Sequence, residues 1–231
     1  MRTWLGMALA ALAGATALAQ DDAYLRWDAT RVSAVVAAAY GDGKVGSRTL
    51  LFWTGWDNRL LKTERAQNYK LRATWFTPDV VRASARWAQL RSRLNDDQTK
   101  GLVDEASRVG DTVVVVDIDP NEGSGVIPTD WEAFLRPKDA SQESGRFVRG
   151  TITEDLRKVR ALQPIAPRNY DYDRYWVVFP LKTDGGQPLL GAADSQAELL
   201  VRIYNREGVV TWPVPVDLRA KLSADGRPGQ R

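Results

Sequence analysis

Tyr69-Lys70-Leu71-Arg72-Ala73-Thr74-Trp75-Phe76 runs directly into Thr77-Pro78-Asp79, and most of the architecture follows from that junction. Tyr69, Leu71, Ala73 and Trp75 fall on one side of an extended chain and Lys70 and Arg72 on the other. This is the period-two alternation of a strand with one wet face. Thr77 then suits a helix cap, Pro78 suits the first helical position, and Asp79 complements the helix dipole. Val80, Ala83, Trp87, Leu90 and Leu94 recur at spacings of three and four, one apolar stripe. Arg82, Arg86 and Arg93 lie off that stripe and read as a solvated basic face. After Asn95-Asp96, a second helix is predicted over 98–109, with Leu102, Ala106 and Val109 inward and Gly110 as its stop.

The residues that follow are Thr112-Val113-Val114-Val115-Val116, a strand with no polar face and so central in a sheet. Further strands are predicted over 49–53, 131–135, 146–152, 175–181, 198–204 and 209–212. Pro180 marks a strand end or edge, because it cannot donate to a ladder. Thr153-Glu154-Asp155 opens a one- to two-turn helix with Leu156, Val159 and Leu162 inward. Residues 20–48 admit a helix capped by Asp28 and running through Val35 to Tyr40, or a strand; Gly41-Asp42-Gly43 ends either. Asn205 to Gly208 is a hairpin turn, closed by Pro213 and Pro215. The expected fold is therefore mainly β, an antiparallel β-sandwich with a helical hairpin inserted at about 78–109, α+β overall. One domain is expected over 20–216, followed by a disordered polar tail over 217–231.

The N-terminus carries the most specific targeting signal. Arg2 is followed by an uncharged, mostly apolar run from Trp4 to Leu18, and Ala17-Leu18-Ala19 is a small-x-small cleavage site. These are the three parts of a secretory signal peptide over 1–19. The run of 15 residues falls short of the roughly 18 or more that span a bilayer. Cleavage after Ala19 leaves 212 residues with 31 basic and 29 acidic side chains, no Met, and eight Trp. That mature chain is expected to be exported, to the periplasm or beyond, with no membrane span.

The 231-residue chain has neither Cys nor His and a formal net charge of +3. It therefore lacks the residues for disulfides, thiolate nucleophiles, Ser-His-Asp triads and HExxH zinc helices. The small basic excess is spread along the chain, which argues against nucleic acid as a partner. The composition leads to no cofactor and no catalytic residue.

Three stretches retain possible chemistry. Asp117-x-Asp119-x-Asn121 alternates oxygen ligands like the start of a calcium loop, but Glu122 and Pro128 stand where that loop needs Gly and Glu. A solvated turn after a buried strand is the simpler expectation. Asp57 beside Trp56, and Asp171 and Asp173 among tyrosines, are the carboxylates whose neighbours would suit a His-free glycoside hydrolase. Tyr170 and Tyr172 precede a strand within a polar segment and are the expected exposed pair for stacking a glycan. Trp75, Trp87, Trp131 and Trp176 are expected to fill the core.

The segment from Tyr69 to Arg86, Thr112 to Pro120, and Tyr175-Trp176-Val177-Val178-Phe179-Pro180 together resemble a class of exported bacterial proteins of unknown function. In that class an alternating strand with an Ala-Thr-aromatic step enters a helix, and an aromatic strand ends in Phe-Pro. The resemblance covers the middle two-thirds of the mature chain and brings no catalytic residues. Many members carry a lipobox Cys, which this chain lacks. The expectation is a non-catalytic structural or interaction protein of the bacterial envelope with a protein or glycan partner. A carbohydrate-binding module and a carboxylate hydrolase are the alternatives.

Overall fold

The computed structural model describes residues 22–46, 69–110, 112–120, 129–138, 140, 145–165, 173–191, 193–204, 206–216 and 218–219. The leader, the strand expected at 49–53 and the chain beyond 219 lie outside them. Among the described residues nine strands form two antiparallel sheets, with three α-helices beside them. The chain runs α1 (Ala29–Ala38), β1 (Tyr40–Val45), β2 (Tyr69–Phe76), α2 (Pro78–Ser92), α3 (Asp96–Ser107) and β3 (Thr112–Pro120). It continues through β4 (Trp131–Pro137), β5 (Val148–Arg149), β6 (Thr151–Ile152), β7 (Asp173–Phe179), β8 (Gln196–Ile203) and β9 (Arg206–Pro213). Sheet order is β1-β2-β3-β7-β6 in one sheet and β5-β4-β8-β9 in the other.

The central strand is β3, as its valines require. Val114, Val116 and Ile118 pack toward the second sheet, with Leu71, Trp75, Leu135, Leu199 and Trp212. Val113 and Val115 pack on the opposite side against Val80, Val81, Ala85 and Ala106 of the helical hairpin, and Trp176 of β7 joins them. The result is three layers: helices, a five-stranded sheet and a four-stranded sheet. The hairpin joins β2 to β3, which are hydrogen-bonded neighbours, so it is an insertion between adjacent strands. Within the inter-sheet core the Trp75 and Trp212 rings lie 5.9 Å apart, and the Trp75 indole donates to Thr112 Oγ1 at 2.6 Å.

Local details refine the sequence expectations. Asp28 does cap α1, accepting from the Arg31 amide at 2.7 Å. Thr77 opens α2 with extended backbone, but its side chain makes no capping bond. The α2 stripe holds at Val80 and Ala83 and fails at Leu90, which is 42% exposed. Gln89 is buried instead, donating to Asp96 and accepting from Arg86. Arg86 is therefore not a purely solvated residue; its Nε also donates to the Trp27 carbonyl at 2.8 Å. α3 begins with a full Asn95–Gln98 capping box. The hairpin turn lies two residues earlier than expected. Ile203 pairs with Arg206 and Tyr204 takes φ 54°, so Arg206 to Gly208 belong to β9. Leu218, beyond the expected domain end, packs into the inter-sheet core.

The two sheets are tied along both sides. Residues 148–152 form a single crossing segment: Val148 and Arg149 pair with β4, Thr151 and Ile152 with β7. The pivot is Gly150, whose amide bonds the Ala133 carbonyl at 2.9 Å. A Cβ there would sit 2.3 Å from Val177 Cγ1 and 2.7 Å from the Phe179 ring. On the other side Gly46 bridges to Glu207, and Gly41 of β1 lies so close to β9 that a Cβ would meet Val210 Cγ1 at 2.3 Å. Gly150→Ala is accordingly expected to lower stability by about 1–3 kcal/mol through overpacking. Gly101→Ala, in α3 with nothing within 4 Å, should raise it by about 0.8–1 kcal/mol. Urea midpoints of the two variants, moving in opposite directions, check this.

Candidate functional site

The acidic run predicted as a loop is strand. β3 extends to Pro120, and Asp117 and Asp119 sit in its ladder. Asp117 faces Arg72 of β2 and Arg174 of β7 in register. Arg174 holds it with two bonds, Nε to Oδ1 at 2.6 Å and Nη2 to Oδ2 at 2.9 Å. On β2, Arg72 also reaches Asp42 of β1 at 3.2 Å. One row across four strands thus alternates Asp42, Arg72, Asp117, Arg174. In the next row Asp119 lies 3.7 Å from Lys70. Both carboxylates already face protein cations, which removes the open oxygen cage that calcium needs. Asn121 lies outside the described residues. Among the described residues no group of three or more His, Cys, Asp or Glu could hold a metal ion.

Trp56, Asp57, Tyr170, Asp171 and Tyr172 also lie outside the described residues. Asp173 accepts from the Tyr175 hydroxyl at 3.3 Å. Tyr175 packs edge-on against Trp131 at 5.0 Å. Burial first, and then the Asp173 charge, push its phenol up to about 12. Trp75, Trp131 and Trp176 are in the core, as expected. Trp87 is the exception. It is half-buried and packs against the small cluster of Tyr24, Trp27, Val32 and Val36. It also lines a groove of about 360 Å³.

That groove is the candidate site. α2 supplies Ser84, Trp87, Arg91 and Ser92 as one wall. The segment after β6 supplies the other, with Arg160 from the 3-10 turn Arg160–Leu162, then Gln163. Pro164 and Ile165 complete the second wall with apolar surface. Internal hydrogen bonds hold the walls. The Ser84 hydroxyl donates to the Gln163 carbonyl at 2.9 Å. Arg160 Nη2 donates to Ser92 Oγ at 3.1 Å. Gln163 Nε2 donates to the carbonyls of Arg157 and Val159 at 2.9 and 3.2 Å. From the core side, Trp176 Nε1 donates to the Leu162 carbonyl at 2.9 Å. Arg91 is exposed and forms no hydrogen bond or ion pair among the described residues. Among the described residues no carboxylate lines the groove. A lining that combines a tryptophan and two arginines, with no acid among the described lining residues, favours anions.

Two other hollows differ in character. One of about 420 Å³ lies under the hairpin, walled mainly by Phe76, Val81, Val103, Leu162 and Leu218. One of about 240 Å³ lies between α1, the start of α2 and Trp212. Its one carboxylate, Asp79, is bound to Arg82 at 3.2 Å. No signal along the chain could have found the Trp87 groove, since its walls stand some 79 residues apart at the Ser84–Gln163 contact.

No family model matches the chain, and no curated protein matches it. A crystal structure of a novel protein of unknown function from Burkholderia pseudomallei is similar to it at 16% identity, over 92% of this chain and 93% of that one, with a TM-score of 0.38. A likeness at that level carries no argument about function.

Replacing Arg174 with Met should cost about 3 kcal/mol, because it leaves the Asp117 carboxylate, 13% exposed, without its main partner. Added calcium should leave the thermal midpoint of the native protein unchanged, and a calcium-dependent rise would restore the cation-loop reading. Tyr175 makes a second check. Its pKa is raised in the folded state, so its contribution is fully present below about 10 and is lost as pH rises toward about 12. Alkaline denaturation should therefore begin at higher pH in Tyr175→Phe.

Proposed function

We propose that this chain is an exported protein of the bacterial envelope that acts by binding and not by turnover. Export rests on the leader pattern of residues 1–19, with its single charge, its 15-residue apolar run and the Ala17-Leu18-Ala19 site. No helix of the described residues is long and apolar enough to cross a membrane. The observation that carries the binding role is the Trp87 groove: a preformed wall-to-wall cleft whose polar lining consists of donors, hydroxyls and amides, with no proton-accepting carboxylate among the described residues. Hydrolysis of a glycoside needs two carboxylates facing one substrate. The partly buried acids at the sheet surface are instead engaged by arginines: Asp117 by Arg174, Glu198 by Arg136 and Glu207 by Arg202. That arrangement neutralises them and holds strands in register.

Expression of the full chain in a bacterial host, followed by intact-mass measurement and fractionation, tests the export half. A mature protein beginning at Gln20 in the periplasmic or extracellular fraction is expected. A product that retains Met1 and sediments with membranes would overturn it.

A further inference from the structure

We propose that the Trp87 groove binds an acidic sugar, with a uronate ring lying on the indole and its carboxylate held by Arg91 and Arg160. The assignment rests on reading the protein as a binder and adds the chemical class of the ligand. Three features select that class. First, Trp87 is half-buried: it packs on the Tyr24–Trp27 cluster and also lines the groove. A sugar ring presents an apolar face of C–H groups that covers such a surface, whereas an extended acidic peptide does not. Second, the available charge is cationic and bidentate. Arg91 is uncommitted among the described residues, and Arg160 spends one Nη on Ser92 and keeps further donors. A carboxylate fits those forks. Third, the groove, about 360 Å³, lies at the small end of ligand clefts, which run about 300–1,000 Å³. It suits a short sugar unit and not a folded partner.

The pre-existing hydrogen bonds matter as much as the charges. Ser84–Gln163 and Trp176–Leu162 anchor both walls before any ligand arrives. Less ordering entropy is then lost on binding.

Tryptophan fluorescence and calorimetry with oligogalacturonate, and with a neutral hexose oligomer of equal length, test the proposal. Oligogalacturonate should bind and quench emission, the neutral oligomer should bind at least about tenfold more weakly, and added salt should weaken the acidic ligand. Arg91→Ala, at an exposed position with no hydrogen bond or ion pair among the described residues, should cost about tenfold in affinity. Trp87→Phe should retain part of the affinity and Trp87→Ala should lose it, with thermal melts confirming that each variant folds. Equal binding of poly-aspartate, or displacement by inorganic phosphate at matched charge, would show recognition of an anion alone and overturn the sugar assignment. So would an oligogalacturonate affinity unmoved by Arg91→Ala and Trp87→Ala. If the recovered oligomer is shortened, the non-catalytic reading fails while the site assignment stands. If it is intact and unbound, only the site assignment fails.

Discussion

Val113 and Val115 press against the helical hairpin while Val114 and Val116 press against the second sheet. A strand buried on both faces cannot be satisfied by one partner layer. Each of its four valines is at most 3% exposed. Burying such a side chain is worth about 1.5–3 kcal/mol relative to leaving it in water. The helices between β2 and β3 are therefore a required layer, because without them Phe76, Val113, Val115 and Trp176 would form an open apolar face. The same alternation explains the salt ladder. Past Val115 the helix-side row continues with Asp117, and the hairpin no longer covers it. Arg174 and Arg72 take the place that apolar side chains hold further back.

Closing the sandwich sets a second constraint. Sheet edges expose unpaired amides and carbonyls and invite pairing with other chains. Here one side is joined through the Gly150 crossing and the other through the approach of β1 to β9. Both need residues without a Cβ. Gly208 shows it from the β9 side: a Cβ would come within 2.8 Å of the Lys44 carbonyl oxygen. The glycines that look like turn punctuation in the sequence, Gly41 and Gly43, are strand residues pressed against β9.

This accounts for what the sequence could and could not convey. Period-two alternation over Tyr69–Phe76 and the start of α2 at Pro78 are local signals, and both elements form where expected. The apolar β3 core is equally local. By contrast, Asp117 and Asp119 look like a loop because acids beside a proline rarely continue a strand. Only their register partners on β2 and β7, remote in sequence, make a strand affordable there. Trp87 has the spacing of a core residue but is only half-buried, because it packs with Ala83 on the Tyr24–Trp27 cluster and not in the sheet-side cluster of Val80, Val81 and Ala85. The difference arises from where α1 and the residues before it dock on α2, which no periodicity encodes.

The groove beside Trp87 is a consequence of the same geometry. The face of α2 that carries Ser84, Trp87, Arg91 and Ser92 is turned to the segment after β6, which bonds to it through Gln163 and Arg160. Trp176 belongs to the buried helix-side row of β7, yet its indole nitrogen reaches out to the Leu162 carbonyl. Through that bond the core positions the turn that carries Arg160, and Gln163 then receives Ser84. Two walls from distant parts of the chain are thereby held against a tryptophan that the core did not need in full. A cleft built this way is rigid because its supports are buried. It is cationic because arginine stems can lie along the apolar surface while their charged ends stay in water. Rigidity with an uncommitted guanidinium at the rim is the combination that recognises a small anionic ring, and it requires neither imidazole nor thiol.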